Sequence, residues 1–243
     1  MGRIHHALRA AGANGLGTAA YRDEVLADSP VFYYRLADGA GATVAADEVG
    51  TQDGTIHGSP DLTVSSPLTT GLTACDLDGT NDYIDSGYTD DPTGAITVEV
   101  WWKSPASIAA TNQRIMSKDR AGVQGSWLFR VADTGEFDWK VASGGYVPGT
   151  TAFAAGSASP STLYHFVAVY DGATDRYELW VNGSLAGSRS SIGTMINSST
   201  QPVVIGAESQ GTGRYLEGIV AEAAYYEHAL SPERIAAHYS SGI

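Results

Sequence analysis

Short stretches in which apolar and polar residues alternate with a period of two dominate the chain. The clearest is 95–103, where one face carries Ile96, Val98, Val100 and Trp102. The other face carries Thr97, Glu99, Trp101 and Lys103. Because successive side chains of a strand point to opposite faces, this pattern predicts an antiparallel strand with one buried face.

Ten further segments are rich in aromatic and β-branched residues, which favour strands. They are 31–36, 73–77, 82–86, 114–118, 127–132, 136–142, 162–170, 176–182, 202–206 and 214–226. Strands do not alternate with helices along the chain, which argues against a doubly wound sheet. More than ten short strands separated by turn signals predict an all-β, two-sheet antiparallel jelly-roll sandwich.

Two dipeptides are strong hairpin signals, Asp171-Gly172 and Asn182-Gly183. Both central residues of a type I′ turn need a positive φ, which Asn, Asp and Gly adopt most readily. We therefore expect a tight turn at each of them.

Helices are predicted at two places only. Residues 21–28 have room for two helical turns before Ser29-Pro30, since the residue before proline avoids the helical region. Near the C-terminus Ser231 is the predicted N-cap and Pro232 the first helical residue. Leu230 and Ile235 occupy the positions of a hydrophobic staple. We expect this short helix to cover one edge of the sandwich.

Composition and charge exclude several classes of protein. The formal net charge is −13, which disfavours nucleic-acid binding because the phosphate backbone is itself anionic. No apolar run approaches the ~20 residues of a membrane helix, so no membrane insertion is expected. A single cysteine, Cys75, excludes an internal disulfide framework.

A basic, Gly/Ala-rich arm precedes the acidic body. Residues 1–22 hold three arginines and no acid, whereas the other 221 residues hold 11 bases and 27 acids. We divide the chain into an arm, 1–20, and a domain, 21–243. The arm shows no strand alternation, and we predict that it docks the domain onto a partner protein through Arg3, Ile4, Leu8 and Arg9. An unstructured tail without a role is the alternative. The arm lacks the continuous apolar stretch of a secretory signal, so export by that route is not expected.

Several segments together resemble a known family. They are DGTNDYIDSG (78–87), TGAITVEVWWK (93–103), IMSK (115–118), LYHFVAVYDG (163–172), LWVNG (179–183), VIGA (204–207) and the stretch 216–239. In this order and spacing they resemble the laminin-G-like jelly rolls of the concanavalin A-like lectin and glucanase superfamily. The opening 21–36 looks like the start of such domains in bacteriophage structural proteins. The resemblance implies a two-sheet sandwich that serves as a binding module and is often calcium-stabilised.

Catalysis is not implied by the residues at the family's glucanase position. That branch of the family carries two glutamates four residues apart, with an aspartate between them. Here Glu136 and Asp138 match the first two places, but Lys140 stands in the third. Retaining hydrolysis needs two carboxyl groups about 5–5.5 Å apart, and a lysine replaces neither. We therefore expect no enzyme activity. His165 lies within an apolar strand, which favours a structural histidine over a catalytic base.

Calcium is the one cofactor that the resemblance suggests. The loop 45–55 looks like the family's first cation-binding loop, with Asp47 in the ligand position. Calcium prefers oxygen ligands from carboxylates and carbonyls, which such a loop supplies. A second aspartate of the family is replaced by Ala221, so an ordinary Asp-rich turn is the alternative.

Glycan binding would require aromatic platforms beside hydrogen-bonding groups. Trp101 shares a strand face with Glu99 and Lys103, and Trp180 shares one with Glu178 and Asn182. Both tryptophans are candidate sugar platforms. The resembling family usually has aromatic residues at both positions, so a role in the scaffold is the alternative.

The sequence thus favours a non-enzymatic binding protein of a bacteriophage virion. The leading interpretation is a minor tail protein whose lectin-like jelly roll faces outward for contact with a host-surface glycan. A capsid decoration protein docked by its arm is the alternative. A glycan-active enzyme and a free bacterial lectin are the rival classes. We expect virion structural proteins as partners and a homo-oligomer in the assembly.

Overall fold

Two antiparallel sheets packed face to face form the body of the protein. The structure is a computed structural model, and it describes residues 16–90, 94–119, 126–142, 153–190, 193–195 and 200–243. Within these residues each sheet has eight strands, and two helices complete the fold. The predicted jelly-roll sandwich with a short C-terminal helix is confirmed.

The helices α1 (Leu16–Ala27) and α2 (Pro232–Gly242) lie at the two ends of the described chain. Between them the strands follow in the order β1 Phe32–Tyr34, β2 Val44–Ala45, β3 Gly54–His57, β4 Asp61–Ser65, β5 Thr73–Asp78, β6 Tyr83–Asp85, β7 Ala95–Lys103, β8 Gln113–Ser117, β9 Trp127–Val131, β10 Glu136–Val141, β11 Phe153–Ser157, β12 Leu163–Asp171, β13 Arg176–Val181, β14 Ser184–Arg189, β15 Val204–Ile205 and β16 Glu217–Tyr226.

The order of the strands in each sheet differs from their order along the chain. The first sheet runs β14-β13-β12-β7-β16-β5-β4, and β1 pairs with β16. The second sheet runs β11-β10-β9-β8-β15-β6-β3-β2. The longest strands, β7, β12 and β16, are neighbours at the centre of the first sheet, which makes this the most extensively paired part of the fold.

The main core lies between the two sheets. On β7 the four apolar side chains of the predicted inner face are all buried in it: Ile96, Val98, Val100 and Trp102. From the second sheet, alternate residues of β9 and β10 enter the same core, among them Phe129, Val131, Phe137 and Trp139. The period-two pattern therefore identified the inner face correctly.

The opposite face of β7 is buried as well, which the expectation of one buried face did not anticipate. Thr97, Glu99 and Trp101 are each at most 1% exposed. The reason is that α1 and α2 cover this outer face of the first sheet. A second apolar cluster fills the space beneath them and includes Tyr21, Val25, Trp101, Val167 and Ile235.

Helix α1 begins earlier than the sequence predicted. It starts at Leu16, five residues before the predicted start at Tyr21, so the proposed boundary between residues 20 and 21 falls inside the helix. Two apolar side chains one turn apart, Tyr21 and Val25, anchor it to the sheet. Residues 1–15, with the predicted docking residues Arg3, Ile4, Leu8 and Arg9, lie outside the described residues.

Helix α2 begins as predicted but lies elsewhere than expected. Ser231 is the N-cap, its hydroxyl accepts the N–H of Arg234 at 3.4 Å, and Pro232 follows in the first turn. The staple residues Leu230 and Ile235 are both buried. The helix packs beside α1 over the outer face of the first sheet, and not over an edge of the sandwich as expected.

Both predicted hairpins are present, and the tight two-residue turn is confirmed at one of them. Asn182 and Gly183 have φ of 52° and 71° and join β13 to β14. The hairpin predicted at Asp171-Gly172 is present, since β12 and β13 pair antiparallel there. Its turn type differs from the prediction, because the connection spans four residues and its positive φ falls at Asp175. The Asp171 carboxylate accepts the N–H groups of the two residues that follow Gly172 and so stabilises this longer turn.

Five strands were not predicted from the sequence: β2, β3, β4, β11 and β14. They are two to six residues long and include the edge strands of both sheets. Edge strands bury little apolar surface, so their sequences carry a weak periodic signal; β14, for example, is exposed at five of its six residues. Within the described residues, no helix is long and apolar enough to cross a membrane.

Candidate functional site

A buried carboxylate, that of Glu99, lies at the centre of the helix-covered face. It accepts hydrogen bonds from the hydroxyls of Tyr21 and Tyr226 at 2.8 and 2.9 Å. His165 Nε2 lies 2.8 Å from Oε1, and His238 Nδ1 lies 3.0 Å from Oε2. These four partners come from α1, β16, β12 and α2, so a single carboxylate joins both helices to the sheet.

His238 lies between two carboxylates. Its Nδ1 faces Glu99, and its Nε2 lies 2.9 Å from Asp28 Oδ2. Only a doubly protonated imidazolium has a donor at each nitrogen. Burial by itself lowers the pKa of His238, but the charge of Glu99 and the hydrogen bond to it outweigh burial and raise the pKa. The ring is therefore the positive charge that Glu99 needs.

The same pairing lowers the pKa of Glu99. Burial favours the neutral acid and by itself raises the pKa, whereas the charge of His238 and the hydrogen bonds of His165 and His238 lower it. The net result is a pKa well below the ordinary value. Glu99, His165 and His238 are inaccessible to solvent, so this cluster is structural. The structural role predicted for His165 is confirmed.

Trp101 does not offer a sugar platform. Its ring is 1% exposed and stacks against Tyr239 of α2, with ring centroids 5.9 Å apart. A Cβ at Gly242 would lie 2.4 Å from the same ring, which shows how closely the end of α2 covers it. This burial corrects the expectation for Trp101. Trp180 is half-buried and its Nε1 donates to Glu178 at 2.9 Å, and its platform role stays a prediction.

Asp47 holds its loop together through backbone hydrogen bonds. Oδ1 accepts the N–H groups of Tyr33 and Val49, and Oδ2 accepts those of Thr51 and Gln52, at 2.8–3.1 Å. A carboxylate offers about four lone-pair sites, so these bonds use all of them. The geometry is that of an Asp-rich turn, and calcium binding at Asp47 stays a prediction. In the described part of the chain, no group of three His, Cys, Asp or Glu side chains could hold a metal ion.

The strand at the glucanase position carries an ion pair. Arg130 donates to Asp138 Oδ2 from Nε at 2.9 Å and from Nη2 at 2.6 Å, and Lys140 Nζ lies 3.6 Å from the same oxygen. Glu136 is exposed and accepts a hydrogen bond from Thr134. On this strand the Asp138 carboxylate is therefore held by two cations, and Lys140 stands at the third place of the pattern.

A polar pocket of about 640 Å³ opens on the first sheet, beyond the helices. Its floor is a row across four neighbouring strands, in which Lys103 pairs with Ile219, Ile219 with Asp76, and Asp76 with Asp61. Asp78 and Glu217 line it on the same face. We call it the acidic pocket. Its volume lies within the ~300–1,000 Å³ range of small-molecule sites.

Three charged groups of the acidic pocket are available to a ligand. The carboxylates of Asp76 and Glu217 and the ammonium of Lys103 have no hydrogen-bond or ion-pair partner among the described residues. Asp61 and Asp78, in contrast, cap their own turns through backbone N–H groups. The pocket thus combines structural carboxylates with unpaired ones.

The pKa values of the two facing aspartates move in opposite directions. Partial burial, together with the negative charges of Asp61 and Asp82, raises the pKa of Asp76. Hydrogen bonds from the hydroxyl and N–H of Thr63 lower the pKa of Asp61. Sequence reasoning missed this pocket, although Asp76 and Asp78 alternate with apolar residues on 73–78 and so share one face.

The fold and its polar outer faces define a lectin-like jelly-roll domain. A family model described as the concanavalin A-like lectin/glucanases superfamily, of the laminin G type, matches residues 78–236. The match covers more than half of the chain, and the chain belongs to this superfamily. A search of curated proteins finds no match.

Solved structures share the fold at low sequence identity. Domain 4 of AbnA, an extracellular arabinanase from Geobacillus stearothermophilus in complex with arabinotriose, has a TM-score of 0.61 at 14% identity over 88% of this chain and 98% of that domain. The binding domain of Paraclostridial Mosquitocidal Protein 1 has a TM-score of 0.65 at 14% identity, over 89% of this chain and 53% of that one.

A sialidase from Trypanosoma rangeli in complex with the inhibitor DANA is similar too. Its TM-score is 0.62 at 14% identity, over 86% of this chain. This chain spans only 32% of the sialidase. The likeness to these structures therefore concerns one domain and shows its fold.

The first prediction concerns the buried carboxylate. Replacing Glu99 with Gln removes the negative charge and leaves His238 facing a neutral amide. Breaking a buried pair by removing one partner costs about 3–5 kcal/mol, and we expect a loss of that size in the free energy of unfolding, measured in denaturant. The matched control is Glu136→Gln on the exposed end of β10, expected to stay within about 0.5 kcal/mol of wild type. Equal losses in the free energy of unfolding for the two variants would contradict the role of Glu99 as a paired buried charge.

The second prediction concerns pH. The pKa of His238 is raised above its ordinary value of 6.5, so the stabilisation from its charge is complete below that value and is lost as pH rises through the folded-state pKa. Wild type should therefore lose stability at alkaline pH, and His238→Gln should lose less. The lowered pKa of Glu99 predicts a separate loss at acid pH. The difference in the free energy of unfolding between wild type and His238→Gln is the quantity to measure. If it stays constant from about pH 6 to about pH 10, His238 carries no stabilising charge.

Proposed function

We propose that this chain is a non-catalytic, lectin-like module that binds carbohydrate in the acidic pocket. The observation that carries the proposal is the set of unpaired charged groups there, Asp76, Glu217 and Lys103, in a pocket of about 640 Å³. An unpaired charged side chain at the floor of a pocket can form strong hydrogen bonds to a ligand without first breaking a bond within the protein.

The chemistry of the pocket suits a ligand rich in hydroxyl groups. Carboxylates accept hydrogen bonds from sugar hydroxyls, and the Lys103 ammonium donates to sugar oxygens. Pro105 and Ile219 supply apolar surface for the C–H groups of a sugar ring. The lining holds five acids and one base, which favours a neutral or amino sugar over an acidic one: Asp61, Asp76, Asp78, Asp82, Glu217 and Lys103.

The structural neighbours support a binding role. The arabinanase domain was solved with arabinotriose, and the mosquitocidal protein fragment is a binding domain. Both share the fold with this chain over almost its whole length. A carbohydrate-binding role for this chain is our inference from that likeness together with the pocket.

Glycoside hydrolysis is the second candidate, and one observation favours it. Asp61 and Asp76 stand directly opposite each other on neighbouring strands, and their pKa values are shifted in opposite directions. Such a pair can divide the roles of acid and nucleophile. Asp61 is tied to its own turn by two hydrogen bonds from Thr63, however, so we favour binding.

We further propose the setting in which the module works, a bacteriophage virion. The support is the resemblance of 21–36 to the start of such domains in phage structural proteins, and the basic arm before it. A minor tail protein that presents the jelly roll to a host-surface glycan is our preferred role. A capsid decoration protein is the alternative.

The third prediction tests the acidic pocket. We expect the protein to bind oligosaccharides on a glycan array, and Asp76→Asn and Lys103→Met each to weaken binding about 10–100-fold, which corresponds to loss of a hydrogen bond to a charged group. The matched control is Asp133→Asn on an exposed turn, which should bind as wild type does.

Each outcome of this test has a meaning. Turnover of a bound glycan that Asp76→Asn abolishes would establish the hydrolytic alternative. Binding that survives both pocket substitutions would place the carbohydrate site elsewhere on the domain. Absence of carbohydrate binding across the array would contradict the proposed function.

The fourth prediction tests the virion role. Because α1 begins at Leu16, the deletion that leaves the described fold whole removes residues 2–15. We expect the shortened protein to stay soluble and to unfold cooperatively, but to be absent from purified virions by immunogold electron microscopy. Incorporation at wild-type copy number would show that the domain itself carries the docking surface.

A further inference from the structure

Arginine and lysine side chains cluster on the outer face of the second sheet. Arg114, Arg130 and Asp138 form a row across three neighbouring strands, β8, β9 and β10. Phe129 and Val131 of β9 point into the main core, so Arg130 between them points away from it. Lys140 lies two residues from Asp138 and therefore on the same face. We call Arg114, Arg130 and Lys140 the basic row.

The basic row holds more positive charge than its direct partners balance. Arg114 lies directly opposite Arg130, and like charges in that position repel each other. Asp119 accepts hydrogen bonds from Arg114 Nε and Nη2, both at 3.1 Å. Asp138 is shared between Arg130 and Lys140. Three cations are thus in contact with two carboxylates.

One donor of the basic row is left over. Arg114 is 5% exposed, and within the described chain its Nη1 has no hydrogen-bond acceptor. Leaving a buried charged donor unpaired carries the desolvation penalty of that group. The unpaired donor therefore leaves Arg114 with positive charge that no acceptor in the described chain offsets directly.

The lowered pKa of Lys140 is consistent with an excess of positive charge in the basic row. Burial lowers the pKa of Lys140, and the positive charges of Arg130 and Arg114 lower it further, so that the effect of Asp138 does not restore the ordinary value. Two further carboxylates lie near the cluster: Glu208, whose charge raises the pKa of Asp119, and Glu136, which is two residues from Asp138 on β10. A bound anion would offset the repulsion among the three cations.

The basic row is open to solvent at one side. The side chains of Arg130 and Lys140 are 18% and 17% exposed, whereas that of Arg114 is 6% exposed. A ligand anion can reach the first two from solvent. The acidic pocket lies on the other sheet, so the two sites are independent.

We propose that the basic row is a second binding site, specific for the carboxylate of an acidic saccharide such as a hexuronate. Guanidinium groups recognise carboxylates through paired hydrogen bonds, and Lys140 adds a point charge. This proposal does not rest on carbohydrate binding in the acidic pocket, whose charge repels the same ligands.

The test uses the whole protein and pairs of saccharides that differ only in charge. Trigalacturonate and triglucuronate are titrated by calorimetry and compared with their methyl esters, which keep the sugar skeleton and lose the carboxylate charge. We expect the acids to bind and the esters to bind at least tenfold more weakly. Lys140→Met should weaken binding of the acids about tenfold, and Asp138→Asn should strengthen it, because Asp138 competes for the same cations.

Two controls keep the outcome clear. Lys103→Met removes one lysine from the acidic pocket and should leave binding of the acids unchanged. Cooperative unfolding of every variant, measured by thermal melting, shows that a loss of binding is not a loss of fold. Equal affinity for acid and ester, failure of both acids to bind, or binding unaffected by Lys140→Met would each overturn the proposal. Loss of neutral-glycan binding in Asp76→Asn with acid binding intact would separate this site from the acidic pocket.

Discussion

The position of both helices depends on one buried negative charge, the carboxylate of Glu99. A carboxylate removed from water costs several kcal/mol unless it is paired and hydrogen-bonded. Here its partners come from two helices and two strands, so the charge is satisfied only when all four elements are in place. Arg234 of α2 also links the two helices, through Glu24 of α1 at 2.6 Å and through Asp28, which directly follows α1, at 2.8 Å.

The outer face of the first sheet has two different halves, and Glu99 lies in the half that the helices cover. Strand β7 carries Glu99 beneath the helices and Lys103 in the acidic pocket, four residues further along the same face. At about 3.3 Å per residue these positions are roughly 13 Å apart. Strand β16 repeats the division, with Ala224 buried under the helices and Glu217 in the pocket. The helices thus cover one half and leave the other half open.

Several local signals in the sequence gave correct predictions, whereas features that depend on long-range pairing could not be predicted. The N-cap Ser231 and the turn at Asn182-Gly183 act on residues within one turn, so the sequence shows them. The burial of Trp101 depends on a helix about 140 residues later, and a period-two pattern carries no information about it. For the same reason the acidic pocket was missed, because its unpaired groups come from three strands that are distant in sequence. Asp47 was placed in the correct loop, but only the structure shows four N–H groups on its carboxylate.

The distribution of charge sets the range over which each outer face can act. With a net charge of −13 the protein repels anions at long distance, so the basic row attracts a carboxylate only at close contact. At physiological ionic strength the Debye length is about 8 Å, which screens most of the long-range repulsion and leaves the short contacts at Arg130 and Lys140 largely intact. Moderate salt therefore removes the repulsion of the whole molecule before it weakens the contacts of the basic row. At the two sites that we propose, a glycan with neutral and acidic sugars would then contact the domain on either sheet, with a neutral sugar in the acidic pocket and an acidic sugar at the basic row.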